Sequence, residues 1–197
     1  LPISILDGFY PGAQGGAAIA EILFGGANPE GKLPITFYQT TEELPEFTDY
    51  AMKGRTYRYM ENEALYPFGY GLSYTTYAYG NLECVKPFDA QDGITLQVTV
   101  TNTGDREGTE TLQVYVKAKR EGTPNPQLKY VKKITLKPGE SVTEEIHLSP
   151  EAFMLYDEKG NFTLEKGAYD IFVGGCQPDA RSAALTGNAP QKLTVTY

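Results

Sequence analysis

In the second half of the chain, apolar and polar residues alternate. Ile94, Leu96, Val98 and Val100 are separated by Thr95, Gln97 and Thr99, and Leu112, Val114 and Val116 repeat the pattern. Side chains of a strand point to opposite faces in turn, so a period of two predicts strands with one face turned to a core. The pattern returns over residues 131–136, over residues 142–148, and at Tyr169, Ile171 and Val173. Turn-forming runs punctuate it: Lys137-Pro138-Gly139-Glu140, residues 157–161 and Glu165-Lys166-Gly167. About seven short strands at this spacing predict an all-β sandwich of about 120 residues, with a closed barrel as the rival.

The first half reads differently. ISILDGFY (residues 3–10) is a short apolar run ending at Pro11-Gly12, which predicts a buried strand leaving a sheet. In AQGGAAIAEILFGG, Ala18, Ile19, Ile22 and Leu23 fall on one helical face and Gly25-Gly26 supplies the stop. Gly15 and Gly16 open that helix without the further glycines or the Lys-Ser/Thr of a phosphate cradle, and close packing explains them equally well. After the turn at Asn28-Pro29 and Gly31, Leu33 to Phe37 predict an edge strand. The strand, helix and strand have the look of the closing unit of an α/β sheet.

Periodicity then loosens from Tyr38 to Tyr79, a stretch of roughly forty residues, far beyond an ordinary connection. Residues 52–77 nevertheless hold six tyrosines, Phe68, Arg55 and Arg58 among Gly54, Asn62, Pro67, Gly69 and Gly71. Aromatic rings bury large areas, and disordered linkers lack them, so this is a packed strap. The predicted fold is mainly β: a sandwich (80–197) preceded by a short α/β remnant (1–43) and an aromatic-rich connecting strap (44–79).

Composition narrows the function classes. A net charge of −8 leaves no basic surface for phosphates, and no run nears the roughly 18 apolar residues of a membrane span, so neither nucleic acid nor membrane is an expected partner. Lys129, Lys132 and Lys133 read as the solvated face of a strand. Cys84 and Cys176 stand far apart and alone, as two free thiols of a reducing compartment, or else as one bridge. The one histidine, His147, lies opposite Ile146 and Leu148 in phase, so it is an exposed strand residue. No metal-ligand set or cofactor motif is present. The chain begins without Met on an apolar run, as expected for a piece of something longer.

YPGAQGGAAIAEILFGGANPEGKLPITF resembles the closing segment of the α/β sandwich domain of glycoside hydrolase family 3. YPFGYGLSYTTY is similar to that family's linker into a fibronectin type III-like domain, and VTVTNTGDREGTETLQVYV and LEKGAYDIFVGGCQPDARS resemble that domain. The resemblance covers essentially the whole chain. It implies that the aromatic strap crosses between the two domains, the other reading being that its rings fill the sandwich's own core. GRTYRY (residues 54–59) is similar to the β-xylosidase and α-arabinofuranosidase branch rather than to the β-glucosidases.

The chemistry implied is retaining hydrolysis of terminal β-glycosides by two carboxyl groups about 5 Å apart, one a nucleophile and one an acid/base. In the family these are an Asp on a (β/α)8 barrel and a Glu earlier in the α/β sandwich than Leu1. None of Asp7, Glu21, Glu30, Glu42, Glu43, Glu46 and Asp49 matches a catalytic motif, so no catalytic residue is assigned. Arg55, Tyr57 and Arg58 are the candidate substrate-binding residues; alternatively the arginines stack on rings or pair with Asp49 and Glu61. The implied partners are the barrel and the rest of the α/β sandwich, in the same chain or a separate one, and an oligosaccharide bound by the whole enzyme. A different class of function is a stand-alone carbohydrate-binding or protein-interaction module.

Overall fold

The computed structural model describes residues 5–197. Seven strands form two antiparallel sheets: β1 (Tyr77–Asp89), β2 (Gly93–Asn102), β3 (Gly108–Ala118), β4 (Gln127–Leu136), β5 (Ser141–Leu148), β8 (Ala168–Gly174) and β9 (Gln191–Thr196). One sheet has the order β1-β2-β5, the other β4-β3-β8-β9. A two-residue-per-strand hairpin, β6 (Leu155–Tyr156) and β7 (Phe162–Thr163), brackets the turn expected at 157–161. The described residues also hold three α-helices, α1 (Gly15–Leu23), α2 (Thr56–Tyr59) and α3 (Ala180–Thr186), and short 3-10 turns at Thr41–Glu43 and Pro150–Phe153.

The alternation sets the core. Ile94, Leu96, Val98 and Val100 of β2 face Leu112, Val114 and Val116 of β3, joined by Ile146, Leu148, Phe153, Ile171 and Val173, all at most 5% exposed. Each such side chain contributes about 1.5–3 kcal/mol of burial, so this layer holds the domain. Glu144, in phase with Ile146, reaches Lys132 of β4, and Lys133 pairs with Glu30 of the N-terminal segment. His147 is exposed and lies beside Thr95 across the β2–β5 ladder.

Four sequence expectations are revised. Ile3 and Ser4 of the first expected strand lie outside the described residues, and residues 5–10 are irregular, bending at Phe9 and Tyr10. The expected strand at Leu33–Phe37 is reduced to an isolated bridge between Phe37 and Tyr66. Leu33 pairs with Gly69 and Tyr70, and Phe37 with Leu65 and Tyr66, but Pro67, opposite the residues between them, has no N–H to continue a ladder. β1 was not expected as a strand. Its register breaks three times, around Asn81 (φ 52) and beside Pro87, which hides its period. α3 was also unforeseen, although Asp179 caps its start through Ser182 and Gly187, at φ 73, closes its end.

The strap lies across the outer face of the four-stranded sheet. Consequently β3 is buried along nearly its whole length, whereas β2 alternates buried and half-buried positions. Tyr77, the last ring of the aromatic run, instead turns inward and joins the sandwich core.

Candidate functional site

The segment 49–60, which carries the three candidate residues, has almost no regular structure, so its backbone must be held by side chains. Arg55 does part of this. Its guanidinium donates to the Ala51 carbonyl at 2.8 Å and to the Asp49 carbonyl, so it grips the backbone of Asp49 and not the carboxylate. The Asp49 carboxylate instead accepts from the Ala51 N–H at 2.8 Å. Among the described residues Arg55 and Arg58 form no ion pair, with Glu61 or any other acid, so the pairing alternative is corrected.

α2 is a single turn whose first residue, Thr56, sits at φ 55. A β-branched residue in this left-handed region costs on the order of 1–3 kcal/mol and persists only when its surroundings over-determine it. They do so here. Tyr38 Oη accepts from the Thr56 N–H at 3.3 Å, and Thr56 Oγ1 accepts from the Arg58 N–H at 3.3 Å. From the β3–β4 connection, Asn125 donates its side-chain N–H groups to the carbonyls of Tyr57 and Met60 and its backbone N–H to that of Arg58.

Tyr57 is built into the sheet face. Its ring stacks on Phe68 (centroids 4.2 Å, 9° between planes) and stands edge-on to Tyr115 of β3 at 6.4 Å, while its hydroxyl accepts from the Leu128 N–H. Burial pushes the Tyr115 hydroxyl far above its ordinary pKa, so it remains a donor, to Gln113 Oε1 at 2.6 Å. A second pair, Tyr66 on Tyr70, continues the aromatic layer, with Phe37 edge-on to Tyr66. Gln113, an outward residue of β3, is only 2% exposed and donates to the carbonyls of Gly69 and Gly175. Gly69 is at φ 76, and a Cβ there would strike Gln113 and Tyr115.

Of the three candidates only Arg58 keeps its side chain exposed, its guanidinium 5.9 Å from the Tyr57 ring centroid. Lys129 of β4 lies near enough that burial and the Arg58 charge together lower its pKa. The two cations thus share one patch. Beyond Thr56, a cleft of about 210 Å³ opens between Tyr38, Glu43, Lys53, Met60 and Glu61. Phe47, at 94% exposure, and Tyr50, at 90%, project from the adjoining loop. The seven carboxylates considered for catalysis include Glu30, spent on Lys133, and Asp7 and Glu43, which accept from the Phe9 and Gln39 N–H groups. Among the described residues no cluster of three or more His, Cys, Asp or Glu could hold a metal ion, and no helix is long and apolar enough to cross a membrane. Cys84 is exposed on β1 and Cys176 is buried; both are free thiols.

Sequence reasoning missed the residues that fasten the strap: Asn125, Gln113 and Arg181, whose guanidinium donates to the Leu65 carbonyl. No signal in the sequence marked them, since Gln113 stands in phase with Thr111 and Tyr115 as an outward polar residue of a strand ordinarily would.

Sheets of three and four antiparallel strands, one outer face roofed by an aromatic strap, define a fibronectin type III-like β-sandwich preceded by a segment that carries a helix and little other regular structure. Residues 3–74 match the glycosyl hydrolase family 3 C-terminal domain and residues 110–177 the fibronectin type III-like domain. The chain belongs to glycoside hydrolase family 3. It is 41% identical over 187 residues to a xylan 1,4-β-xylosidase of Xylanibacter ruminicola, covering 93% of this chain and 21% of that protein. A periplasmic β-glucosidase of Salmonella typhimurium is 39% identical over 87% of this chain and 24% of its own length. A solved β-glucosidase from Erythrobacter marinus superposes with a TM-score of 0.75 at 35% identity, over 95% of this chain and 24% of that one. The chain therefore spans between a fifth and a quarter of the length of these relatives.

Proposed function

We propose that this chain is the C-terminal part of a retaining glycosidase that releases terminal β-linked sugars, β-xylosides in preference to β-glucosides. The observation that carries the reading is the match, over 93% of the chain, to a protein named for xylan β-xylosidase activity. GRTYRY, with its β-xylosidase resemblance, supports the pentose preference. In this reading residues 1–43 close the α/β sandwich domain, 44–79 form the strap and 80–197 the fibronectin type III-like domain. Both catalytic carboxyl groups lie on the remaining barrel and α/β sandwich, which are its partners. Tyr10, Leu23 and Phe24, 101%, 65% and 91% exposed, form the surface that those partners cover.

The three candidate residues divide by geometry. Arg58 would meet the oligosaccharide, and Arg55 and Tyr57 are positioning residues behind it. The test is the full-length protein assayed on aryl β-xylosides and β-glucosides. A higher kcat/KM on the xyloside supports the reading; a tenfold preference for the glucoside removes the pentose assignment, and inactivity on both removes the glycosidase. Arg58→Ala should raise KM several-fold with kcat little changed.

A further inference from the structure

A second polar cluster, which does not include Arg58, is buried between the sheets. Glu110 is in phase with Leu112 and Val114, so it points between the sheets, and it is 4% exposed. Tyr79 of β1 donates its hydroxyl to Glu110 Oε1 at 2.8 Å. Lys32, from the N-terminal segment, places its ammonium 3.8 Å from Oε2 and donates to the Gly71 carbonyl at 2.9 Å. Gly175 lies so close below Oε1 that a Cβ there would collide with it. Alongside runs a cavity of about 130 Å³ bounded by Tyr77, Glu110, Cys176 and Asn188. The Tyr77 hydroxyl, on a residue only 7% exposed, is buried there with no hydrogen-bond partner among the described residues.

A buried carboxylate with one ammonium at 3.8 Å is incompletely compensated, because desolvating the charge costs more than a single such contact returns. The cover over it is not part of the sandwich: Lys32 and Gly71 belong to the N-terminal segment and the strap, so Glu110 meets water when these lift away.

We propose that Glu110 is a proton-binding site at the seam between the N-terminal segment and the sandwich, and that protonation of Glu110 tightens that seam. Facing it are Lys32 from the segment, Tyr77 and Tyr79 from β1, and Cys176 from the loop after β8; Glu30 adds a more distant negative charge that bears on Tyr77. Desolvation outweighs the attraction of Lys32 and the hydrogen bonds from Tyr79 and the Thr111 backbone, and holds the Glu110 carboxyl above its ordinary value. A carboxyl raised in the closed state stabilises closure fully below its ordinary value, and that stabilisation is lost as pH rises through the raised value. The neutral acid keeps its hydrogen bond to Tyr79 and sheds the buried charge.

Cys176 reports the opening, since it is 4% exposed and lines the same cavity. Its alkylation is followed by peptide mass spectrometry in the full-length protein, wild type against Glu110→Gln, from about pH 5 to about pH 8. Each rate is divided by the thiolate fraction measured for that variant, because the Glu110 charge itself acts on the thiol, and the ratio of the corrected rates leaves the population of the open seam. Wild type should open increasingly faster than Glu110→Gln as pH rises, by about tenfold for each unit by which closure raises the carboxyl pKa. Lys32→Met, which removes the cation and its bond to the Gly71 carbonyl, should open faster than wild type throughout, by a larger factor at pH 8 than at pH 5. A ratio that stays constant with pH, or a Glu110→Gln seam that opens faster than wild type throughout, overturns the proposal.

Discussion

The two outer faces of the sandwich begin from similar sequence and end in opposite states. β2 turns Thr95, Gln97, Thr99 and Thr101 outward, and β3 turns Thr109, Thr111, Gln113 and Tyr115 outward. On the three-stranded sheet the hydroxyls pair across strands, Thr99 with Thr143 and Thr101 with Ser141, and remain half-exposed. On the four-stranded sheet Thr111 donates to the Glu30 carbonyl and Gln113 to that of Gly69, and both residues are buried. An irregular segment carries backbone groups without ladder partners, and it can lie on a sheet only where side chains supply them. Polar residues on β3 are therefore the docking chemistry for a strap, and the rings fill the space between the polar contacts.

If that contrast is right, equal truncations should have unequal effects on the two faces. Tyr115→Ala removes a fully buried ring beneath the strap and should cost about 3–5 kcal/mol in denaturant unfolding. Phe68→Ala, from the half-buried partner of Tyr57, should cost about 2–3 kcal/mol; a change under about 0.5 kcal/mol would mean that the strap does not pack there. Asn125→Ala, which unties the backbone carbonyls of residues 57 and 60 and leaves the backbone bond to residue 58, should cost about 1–2 kcal/mol. Its sharper signature is selective proteolysis between residues 49 and 62 with the sandwich intact. On the bare face, Thr99→Ala should change stability by less than about 0.5 kcal/mol, and a larger loss would show that this face too is covered in solution.

How far the sequence is legible follows the same division. Strands β2, β3, β5 and β8 are readable because one face of each meets an apolar core, which imposes a clean period. β1 is not, because its bulges shift the phase within thirteen residues. The strap's packing was legible from its rings, but not which surface it covers, since Gln113 and Asn125 read as ordinary polar residues until the chain folds. Arg55 illustrates the limit: an arginine followed by tyrosines suggests a ligand or an ion pair, and a grip on carbonyls four and six residues earlier leaves no trace in the pattern. Glu110 was missed as well: the alternation was read from Leu112 onward, and the acid in phase with it was not recognised as buried.

The attachments of the N-terminal segment and strap also set an order of events during synthesis. Asn28 bonds to the Glu107 carbonyl, Glu30 pairs with Lys133 and Leu65 receives Arg181, partners 79, 103 and 116 residues later in the chain. The rings leave the ribosome well before the sheet that will receive them, and that sheet is complete only when β9 has paired with β8. Each newly made molecule therefore passes through an interval with its aromatic strap unhoused, an interval whose length is set by the rate of translation of the hundred or so residues that follow the strap.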